Sequence, residues 1–246
     1  MGNQIDNIYY KSETTLPFKA DLYPENGFLK GGSTDNVAME YGLKFHIDWL
    51  KGQKTGFFVD QRENRSLLER YAKGRSVLNM FCYTGGFSVY AMRGDAKLVH
   101  SVDSSAKAID LTNKNIELNF PGDTRHAAYA EDAFKYLDRM GDQYDLIILD
   151  PPAFTKSGST VKNAIRGYKE INLKAMKLLP RGGYLATCSC SHFMKEELFV
   201  QMLHDAAADA NVQLRQIEAR QQSPDHPILW NVPETYYLKF YIFQVV

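Results

Sequence analysis

Two cysteines, Cys188 and Cys190, stand two residues apart at the end of the apolar segment GGYLATCSC. In a strand this spacing puts both thiols on the same face. A disulfide between them would be strained, and a metal site would need more ligands than His192 alone could add. The pattern therefore favours two other interpretations. One is packing, because a buried cysteine behaves as a small hydrophobe; the other is a single nucleophile beside a bystander.

Acidic residues close three further strand-like segments. Asp103, the pair Glu131 and Asp132, and Asp150 each follow such a segment directly. The carboxyl ends of parallel strands meet at one edge of a sheet, so we expect these acids to lie close together. Asp103 could then accept hydrogen bonds from the ribose of a nucleoside cofactor, and Glu131 and Asp132 could meet its adenine. Taken singly, Asp103 and Asp132 could instead cap the helices that follow them.

A glycine turn, Gly85-Gly86, links another strand-like segment to a helix. Glycines let the backbone approach a ligand closely, and the start of a helix offers free N–H groups. The dinucleotide fingerprint requires a third glycine, which this chain lacks, whereas S-adenosylmethionine has no phosphate to cradle. We therefore predict S-adenosylmethionine as the cofactor. The predicted cofactor-binding residues are Asn79, Phe81, Tyr83, Thr84, Gly85, Gly86, Asp103, Ser104, Glu131, Asp132, Asp150 and Pro151.

The elements that must position these residues follow an alternating pattern from Arg75 onward. Short apolar segments typical of buried strands alternate with amphipathic, helical ones, which predicts an α/β fold with a mostly parallel sheet. Before this region, NIYY and GLKFHIDWLKG read as strands, and Asp60 is a possible N-cap of a helix that Gly74 ends. We expect residues 1–60 to form a β-rich extension and residues 61–246 the main domain.

Composition limits the classes of function. The 246 residues are 44% hydrophobic, and 29 Lys and Arg balance 29 Asp and Glu, so any contact with RNA must come from a local patch. Three cysteines suit a reducing compartment. The first residues lack the apolar stretch of a signal peptide, and no apolar run is long enough to cross a membrane. We expect a cytoplasmic protein with no membrane association and no metal.

Several segments together resemble the bacterial 23S ribosomal RNA cytosine-5 methyltransferases. The resemblance rests on VLNMFCYTGGFSVYA, SVDSSAKAIDLTNKNIELN, DPPAF, RGYKEIN, SCS, and DHP followed by YYLK. It implies a Rossmann-like class I methyltransferase sheet, S-adenosylmethionine, and 23S ribosomal RNA as the partner. The family usually carries an N-terminal PUA domain. Too little chain precedes the first strand here for one, so we expect that domain to be absent.

The resemblance also assigns catalytic residues. Cysteine-dependent RNA cytosine methyltransferases place their nucleophile seven residues after a Gly-Gly, which counts from Gly183 to Cys190. Cys190 is thus the predicted nucleophile, with Asp150 steadying the pyrimidine, while Cys188 inside the strand is expected to pack. Asp-Pro-Pro-Phe would equally suit methylation of an amino or ring nitrogen, which would leave both cysteines idle. A third possibility is an RNA-associated protein that binds the cofactor without turnover.

Residues around these motifs are candidates for substrate contact. Phe154 offers a stacking face beside Asp150, and the turn that contains His226 resembles part of a target pocket. Basic side chains elsewhere could hold phosphates, although each could equally be a solvated surface charge. The candidates are Pro152, Phe154, Lys54, Arg62, Lys156, Arg166, Lys169 and His226.

Overall fold

The structure is a computed structural model that describes residues 5–13, 25–33, 36–141, 143–155 and 157–246. Its N-terminal part consists of two antiparallel pairs of short strands. Strand β1 (Ile8–Tyr10) pairs with β2 (Gly27–Lys30), and β3 (Val37–Glu40) pairs with β4 (Leu43–His46). The predicted β-rich character of this region is thus present in the described residues.

A seven-stranded sheet forms the centre of the molecule. Its strands are β5 (Ser76–Met80), β6 (Leu98–Asp103), β7 (His126–Ala130), β8 (Leu146–Leu149), β9 (Tyr184–Ser189), β10 (Leu214–Arg220) and β11 (Lys239–Val245). They lie in the order β10-β11-β9-β8-β5-β6-β7. Strands β5 to β9 are parallel, and β11 runs antiparallel between β9 and β10. Strands β5 and β8 are buried along their whole length, as expected for the middle of a sheet covered on both faces.

Six helices cover the two faces of the sheet within the described ranges. They are α1 (Arg62–Ala72), α2 (Gly86–Arg93), α3 (Ala106–Asn119), α4 (Ala133–Arg139), α5 (Val161–Leu178) and α6 (Glu196–Ala210). Side chains from α1, α2 and α3 share one apolar cluster, and those from α4, α5 and α6 share the other. The predicted Rossmann-like α/β fold is confirmed. None of the helices in the described part is long and apolar enough to cross a membrane.

Asp60 does not cap a helix, contrary to expectation. It lies in a short 3-10 turn, Val59–Gln61, and α1 begins only after Gln61. One oxygen of its carboxylate, Oδ2, accepts a hydrogen bond from the Tyr237 hydroxyl at 2.8 Å. The side chain therefore points across to the C-terminal part of the chain, 177 residues away, instead of back to the first turn of α1.

A buried ion pair joins the N-terminal hairpin to the main domain. Arg65 of α1 makes a two-point contact with the carboxylate of Glu40 in β3, with N···O distances of 3.0 and 2.8 Å. Both side chains are less than a tenth exposed. The Tyr90 hydroxyl donates to the same carboxylate at 3.0 Å, and the guanidinium lies over the Phe57 ring. Because the pair is shielded and its oxygens are bonded, removing one partner would leave an uncompensated buried charge.

We expect Glu40→Ala to lower the free energy of unfolding by about 3–5 kcal/mol, the usual cost of breaking a buried ion pair from one side. Glu63→Ala is the matched control, because its ion pair with Arg62 is largely exposed and should be worth no more than about 1 kcal/mol. Urea unfolding followed by circular dichroism measures both changes. Equal losses in the two variants would contradict the prediction.

Candidate active site

The loop after β5 holds two non-glycine residues in the left-handed region. Phe81 has φ 58° and Tyr83 has φ 48°, followed by Gly85 at 76°. Such conformations are costly for residues with a Cβ and persist only where neighbours impose them. Here the Tyr83 N–H donates to Asp103 at 3.0 Å, and its carbonyl accepts from the Thr112 hydroxyl at 2.9 Å. The loop is thus held in one shape by the end of β6 and by α3.

The two glycines of this loop are required by the protein itself. A Cβ on Gly85 would come within 2.6 Å of the Thr112 side chain, and one on Gly86 within 3.0 Å of Arg65. Their close neighbours are therefore α3 and α1, and the expectation that these glycines make room for a ligand gains no support here. Their effect on a ligand would be indirect, because they let the loop sit tightly against the helices.

Asp103 lies where β6 ends, as predicted. Its Oδ2 accepts the Tyr83 N–H and its Oδ1 accepts the Ser105 N–H at 2.9 Å, while Ser105 caps α3. A carboxylate has about four acceptor positions, so each oxygen retains one for a ligand hydroxyl. Asp103 is partly exposed and Ser104 is exposed beside it. This arrangement fits the ribose of S-adenosylmethionine.

Asn79 and Thr84 support the loop from the interior. Asn79 is buried in β5 and donates to the Ser88 hydroxyl of α2 at 2.8 Å, while the Thr84 carbonyl accepts from Asn115 at 2.9 Å. Among the described residues, the buried Oδ1 of Asn79 has no hydrogen-bond partner. The predicted contact of these two residues with a cofactor therefore stays a prediction, and their visible contribution is to fix α2 and α3 beneath the loop.

The acids after β7 are already engaged. Glu131 forms a two-point ion pair with Arg139 at 3.0 and 2.5 Å. Asp132 accepts the Lys135 N–H at 3.1 Å through Oδ1 and so caps α4, the role that its position alone also allowed. Its second oxygen keeps free acceptor positions, so an adenine contact at Asp132 remains compatible with the cap.

Asp150 lies beyond the end of β8, and two side chains converge on its Oδ1. The Cys188 thiol donates at 2.9 Å and the Gln61 amide donates at 3.1 Å. Gln61 also reaches the Cys188 sulfur at 3.4 Å. Burial raises the pKa of Asp150 to about 6, and the nearby Asp60 carboxylate adds to the rise. A group that titrates near neutrality can hold or release a proton during a reaction.

The two cysteines differ in environment as expected. Cys188, in β9, is 1% exposed, whereas Cys190 follows the strand and is partly exposed. Burial, and then Asp150, raise the pKa of the Cys188 thiol well above its usual value. The same two causes raise the pKa of Cys190 to about 11, and Lys54 opposes them. The contact of Cys188 with Asp150 adds a role that packing alone did not predict.

Phe154 packs against the protein, so its predicted stacking face is partly used. Its ring lies 4.6 Å from that of Tyr168, and a Cβ on Gly167 would touch it at 3.2 Å. The preceding prolines differ in exposure, since Pro151 is buried and Pro152 is exposed. Of these three residues, Pro152 is the one most open to a substrate.

The predicted basic residues do not form one patch. Lys54 is exposed, lies over the Phe58 ring, and acts electrostatically on Cys190. Arg62 is bound by Glu63 and Asp225. Arg166 is exposed on α5.

Lys169 is paired with Asp209, in the last turn of α6, which lies away from the strand ends. Lys156 lies outside the described residues. The structure therefore brings Lys54 to the site but does not bring Lys169 there.

Asp225 gathers several side chains near Arg62. It accepts from Arg62 at 2.9 Å and from the Ser223 hydroxyl at 2.6 Å, and it lies 3.2 Å from the His226 ring. His226 is half-buried. The turn that carries His226 is therefore attached to the start of α1, close to Gln61.

Three residues of the site were not foreseen as such: Asp60, Gln61 and Lys239. Lys239 is 2% exposed, and its ammonium donates to the carbonyls of Ser191 at 2.7 Å and Tyr237 at 2.9 Å. Burial lowers its pKa to about 8. A lysine inside the apolar strand YYLKFYIF was a visible signal in the sequence. Asp60 and Gln61 gave none, since their partners lie in distant parts of the chain.

A cavity of about 530 Å³ opens beside the segment that follows Cys190. This volume lies within the usual range for small-molecule sites. Its walls include His192, Phe193, Glu196, Pro233, Tyr236 and Lys239. In the described part of the chain, no three His, Cys, Asp or Glu side chains are grouped as a metal site requires.

Comparison with known proteins identifies the family of this chain. The profile of the S-adenosylmethionine-dependent methyltransferase family matches residues 27–243. The Ribosomal RNA large subunit methyltransferase I of Erwinia tasmaniensis is 41% identical over 244 residues, which cover 97% of this chain and 62% of that protein. The protein of the same name from Tolumonas auensis is 42% identical over 246 residues, covering 98% and 62%. This chain thus spans about three fifths of the length of these relatives.

Solved structures share the fold. A proposed SAM-dependent methyltransferase from Streptococcus mutans superposes with a TM-score of 0.79 at 25% identity, covering 89% of this chain and 58% of that one. TYW2 of M. jannaschii, solved in complex with AdoMet, superposes with a TM-score of 0.61 at 18% identity, covering 90% and 91%. The similarity to TYW2 of M. jannaschii concerns the fold alone.

We expect Asp103→Ala to weaken binding of S-adenosylmethionine by roughly 1–3 kcal/mol, or about 5- to 150-fold in Kd, through lost charge-assisted hydrogen bonds. Asp103→Asn retains one acceptor oxygen and should lose less. Isothermal titration calorimetry measures both. Unchanged affinity in Asp103→Ala, or binding of NAD by the wild type, would contradict the assignment.

Asp150→Asn should make stability less sensitive to pH. Both hydrogen bonds to Asp150 reach Oδ1, which an Asn side chain keeps. Because the folded pKa of about 6 exceeds the ordinary 3.8, the stability that Asp150 contributes is complete below about pH 4. It is lost as the pH rises through 6, for a total of about 3 kcal/mol. The variant should therefore gain about that much relative to wild type between pH 4 and pH 8 in urea unfolding.

Asp123→Asn is the control with opposite sign, because Arg125 lowers the pKa of the Asp123 carboxyl. That variant should lose stability relative to wild type as the pH rises to about 4, near the ordinary pKa of 3.8, and change little between pH 4 and pH 8. If both variants shift in the same direction, the two carboxyls do not have the surroundings described here.

Proposed function

This chain belongs to the S-adenosylmethionine-dependent methyltransferase family, and from that membership we propose that it methylates carbon 5 of a cytosine in 23S ribosomal RNA. The relatives that carry the name Ribosomal RNA large subunit methyltransferase I support the class of substrate. The sequence motifs that resemble the cytosine-5 enzymes support carbon 5 as the methylated atom. In this proposal residues 1–60 form the β-rich extension of a methyltransferase domain at residues 61–246.

The cofactor is held at the ends of β5, β6, β7 and β8. When bound, S-adenosylmethionine supplies an electrophilic methyl group. Asp103 accepts from the ribose, the fixed loop from Phe81 to Gly86 lies beside it, and Asp132 faces the adenine with its second oxygen. The proposed cofactor set is otherwise that of the sequence analysis, and Asn79 and Thr84 contribute mainly by supporting the loop.

Cys190 is the proposed nucleophile. Carbon 5 of a cytosine is a poor nucleophile, and addition of a thiolate at carbon 6 makes carbon 5 enamine-like. The observation that carries this assignment is the difference between the cysteines. Cys190 is open to a substrate at the end of β9, whereas Cys188 is buried and its hydrogen is directed to Asp150.

Asp150 is proposed to steady the pyrimidine ring. With a pKa of about 6 it carries a proton for part of the time at neutral pH, and can donate it to a ring nitrogen as thiolate adds. The protons of Gln61 and Cys188 both point to Oδ1, which leaves Oδ2 for the base. Gln61 and Cys188 thereby fix the orientation of Asp150.

Contacts with RNA are assigned to the residues that lie near Cys190. Lys54 is the best-placed cation, Pro152 is exposed beside Asp150, and the turn with His226 is attached to α1. Phe154 and Arg166 complete this proposed surface. Arg62 is assigned a structural role at this surface, because its charge is neutralised by Glu63 and Asp225.

We expect an RNA transcript of the large subunit that carries 5-fluorocytidine to form a covalent adduct with the protein, since fluorine blocks the final proton loss. Cys190→Ala should abolish both adduct and methyl transfer while cofactor affinity stays nearly unchanged. Cys188→Ala should keep measurable activity and cost some stability. Mass spectrometry of the tryptic peptide Gly182–Lys195, which holds both cysteines, locates the adduct by fragmentation.

An adduct on Cys188 would reverse the assignment of the nucleophile. A double variant that keeps full activity would remove the cysteine mechanism and favour methylation of an amino or ring nitrogen. Mapping the methylated atom of the product by mass spectrometry separates these two chemistries.

A further inference from the structure

The cytosine-5 reaction requires a base that the assignments above do not supply. After methyl transfer, carbon 5 still carries its hydrogen, and carbon 6 is still bonded to the sulfur of Cys190. Release of the product needs a group that removes the hydrogen from carbon 5 as a proton. Asp150 is already assigned to the ring nitrogen, and Cys188 is buried with its thiol directed to Asp150.

Asp60 has the features such a base needs. Its Oδ2 is fixed by the Tyr237 hydroxyl at 2.8 Å. Its Oδ1 is buried and has no hydrogen-bond partner among the described residues. A buried carboxylate oxygen without a protein partner is costly to the fold, and it keeps its acceptor positions for a proton or a ligand.

The turn that carries Asp60 lies against the groups of the site. Gln61, the next residue of that turn, donates to Asp150 at 3.1 Å and reaches the Cys188 sulfur at 3.4 Å. Tyr237, which donates to Asp60, packs in the same apolar cluster as Cys190, and the Asp60 carboxylate raises the pKa of Asp150 and that of Cys190. The Lys239 ammonium fixes this region, because it bonds the carbonyls of Tyr237 and Ser191.

We propose that Asp60 is the catalytic base that removes the proton from carbon 5 of the methylated cytosine. The carbon–hydrogen bond breaks, and its electron pair forms the double bond between carbons 5 and 6. The bond from carbon 6 to sulfur breaks, and its pair leaves with the thiolate of Cys190, while the ring nitrogen returns its proton to Asp150. The proton ends on Oδ1 of Asp60 and then passes to water. This inference rests on the proposed cytosine-5 chemistry and adds the residue that completes it.

The two carboxyl groups then have complementary tasks. Asp150, with its raised pKa, is the proton donor to the ring. Asp60 is the acceptor: the hydroxyl of Tyr237 holds its Oδ2, which leaves Oδ1 for the proton.

The test uses ordinary cytidine RNA and the whole chain. Asp60→Asn should still form the bond from Cys190 to carbon 6 and transfer the methyl group, yet fail to release the product. We expect turnover to fall about 100-fold or more, the usual contribution of general base catalysis. With methyl-labelled S-adenosylmethionine, the label should remain with the protein as an SDS-stable RNA adduct. Wild type should release labelled RNA without such an adduct.

Asp60→Glu is the conservative variant and should recover part of the turnover. Asp110→Asn, which removes an exposed carboxylate from α3, is the charge control and should behave as wild type. Tyr237→Phe frees Oδ2 and should accumulate a smaller fraction of adduct.

Several outcomes would overturn the assignment. Full turnover in Asp60→Asn would exclude Asp60 as the base. Slow turnover without a trapped adduct would place its effect before methyl transfer. Absence of an adduct between the wild type and 5-fluorocytidine RNA would defeat the proposed function itself, and the inference with it.

Discussion

The partial burial of the Asp150 carboxyl group is the constraint on which the site depends. Burial makes its ionised form costly, so the group needs donors that hold it and neighbours that decide its protonation. Those neighbours come from two places: the turn Val59–Gln61, which carries both Gln61 and Asp60, and Cys188 in β9. The site is consequently a joint product of the N-terminal segment and the sheet. The ion pair of Glu40 with Arg65 fixes α1, the helix that begins directly after Gln61.

Fold and site were open to sequence analysis to different degrees. The sheet could be predicted because strands such as β8 are continuous apolar segments, and parallel order follows from the alternation with helices. The acids at the strand ends could be predicted for the same reason, since topology alone brings Asp103 and Asp150 to one edge. Their partners could not, because Gln61 and Asp150 are 89 residues apart and Asp60 and Tyr237 are 177 apart. Contacts of that separation depend on how loops dock, which local patterns do not encode.

The residues whose roles were predicted wrongly show the same difference between local patterns and long-range contacts. The basic side chains were chosen by type, and the structure shows that Arg62 is neutralised by Glu63 of its own helix and by Asp225, and Lys169 by Asp209 of α6. The glycines of the loop were identified correctly as special, but the neighbours that require them are Thr112 and Arg65. Sequence thus indicates where a backbone is constrained more readily than it indicates what constrains it. The positive φ angles of Phe81 and Tyr83 are another constraint of this kind, because neither residue type indicates them.

The position of β11 has a consequence for how the molecule is assembled. This strand follows β10 in the chain, yet it lies inside the sheet, between β9 and β10. Until it is inserted, β9 presents an open edge, and Lys239 is not yet available to tie the segment after Cys190 to Tyr237. Strands β5 to β9 can therefore form most of the core before β11 is inserted, whereas the segment after Cys190 is fixed only afterwards. A chain that stops short of residue 239 would be expected to expose two strand edges prone to aggregation.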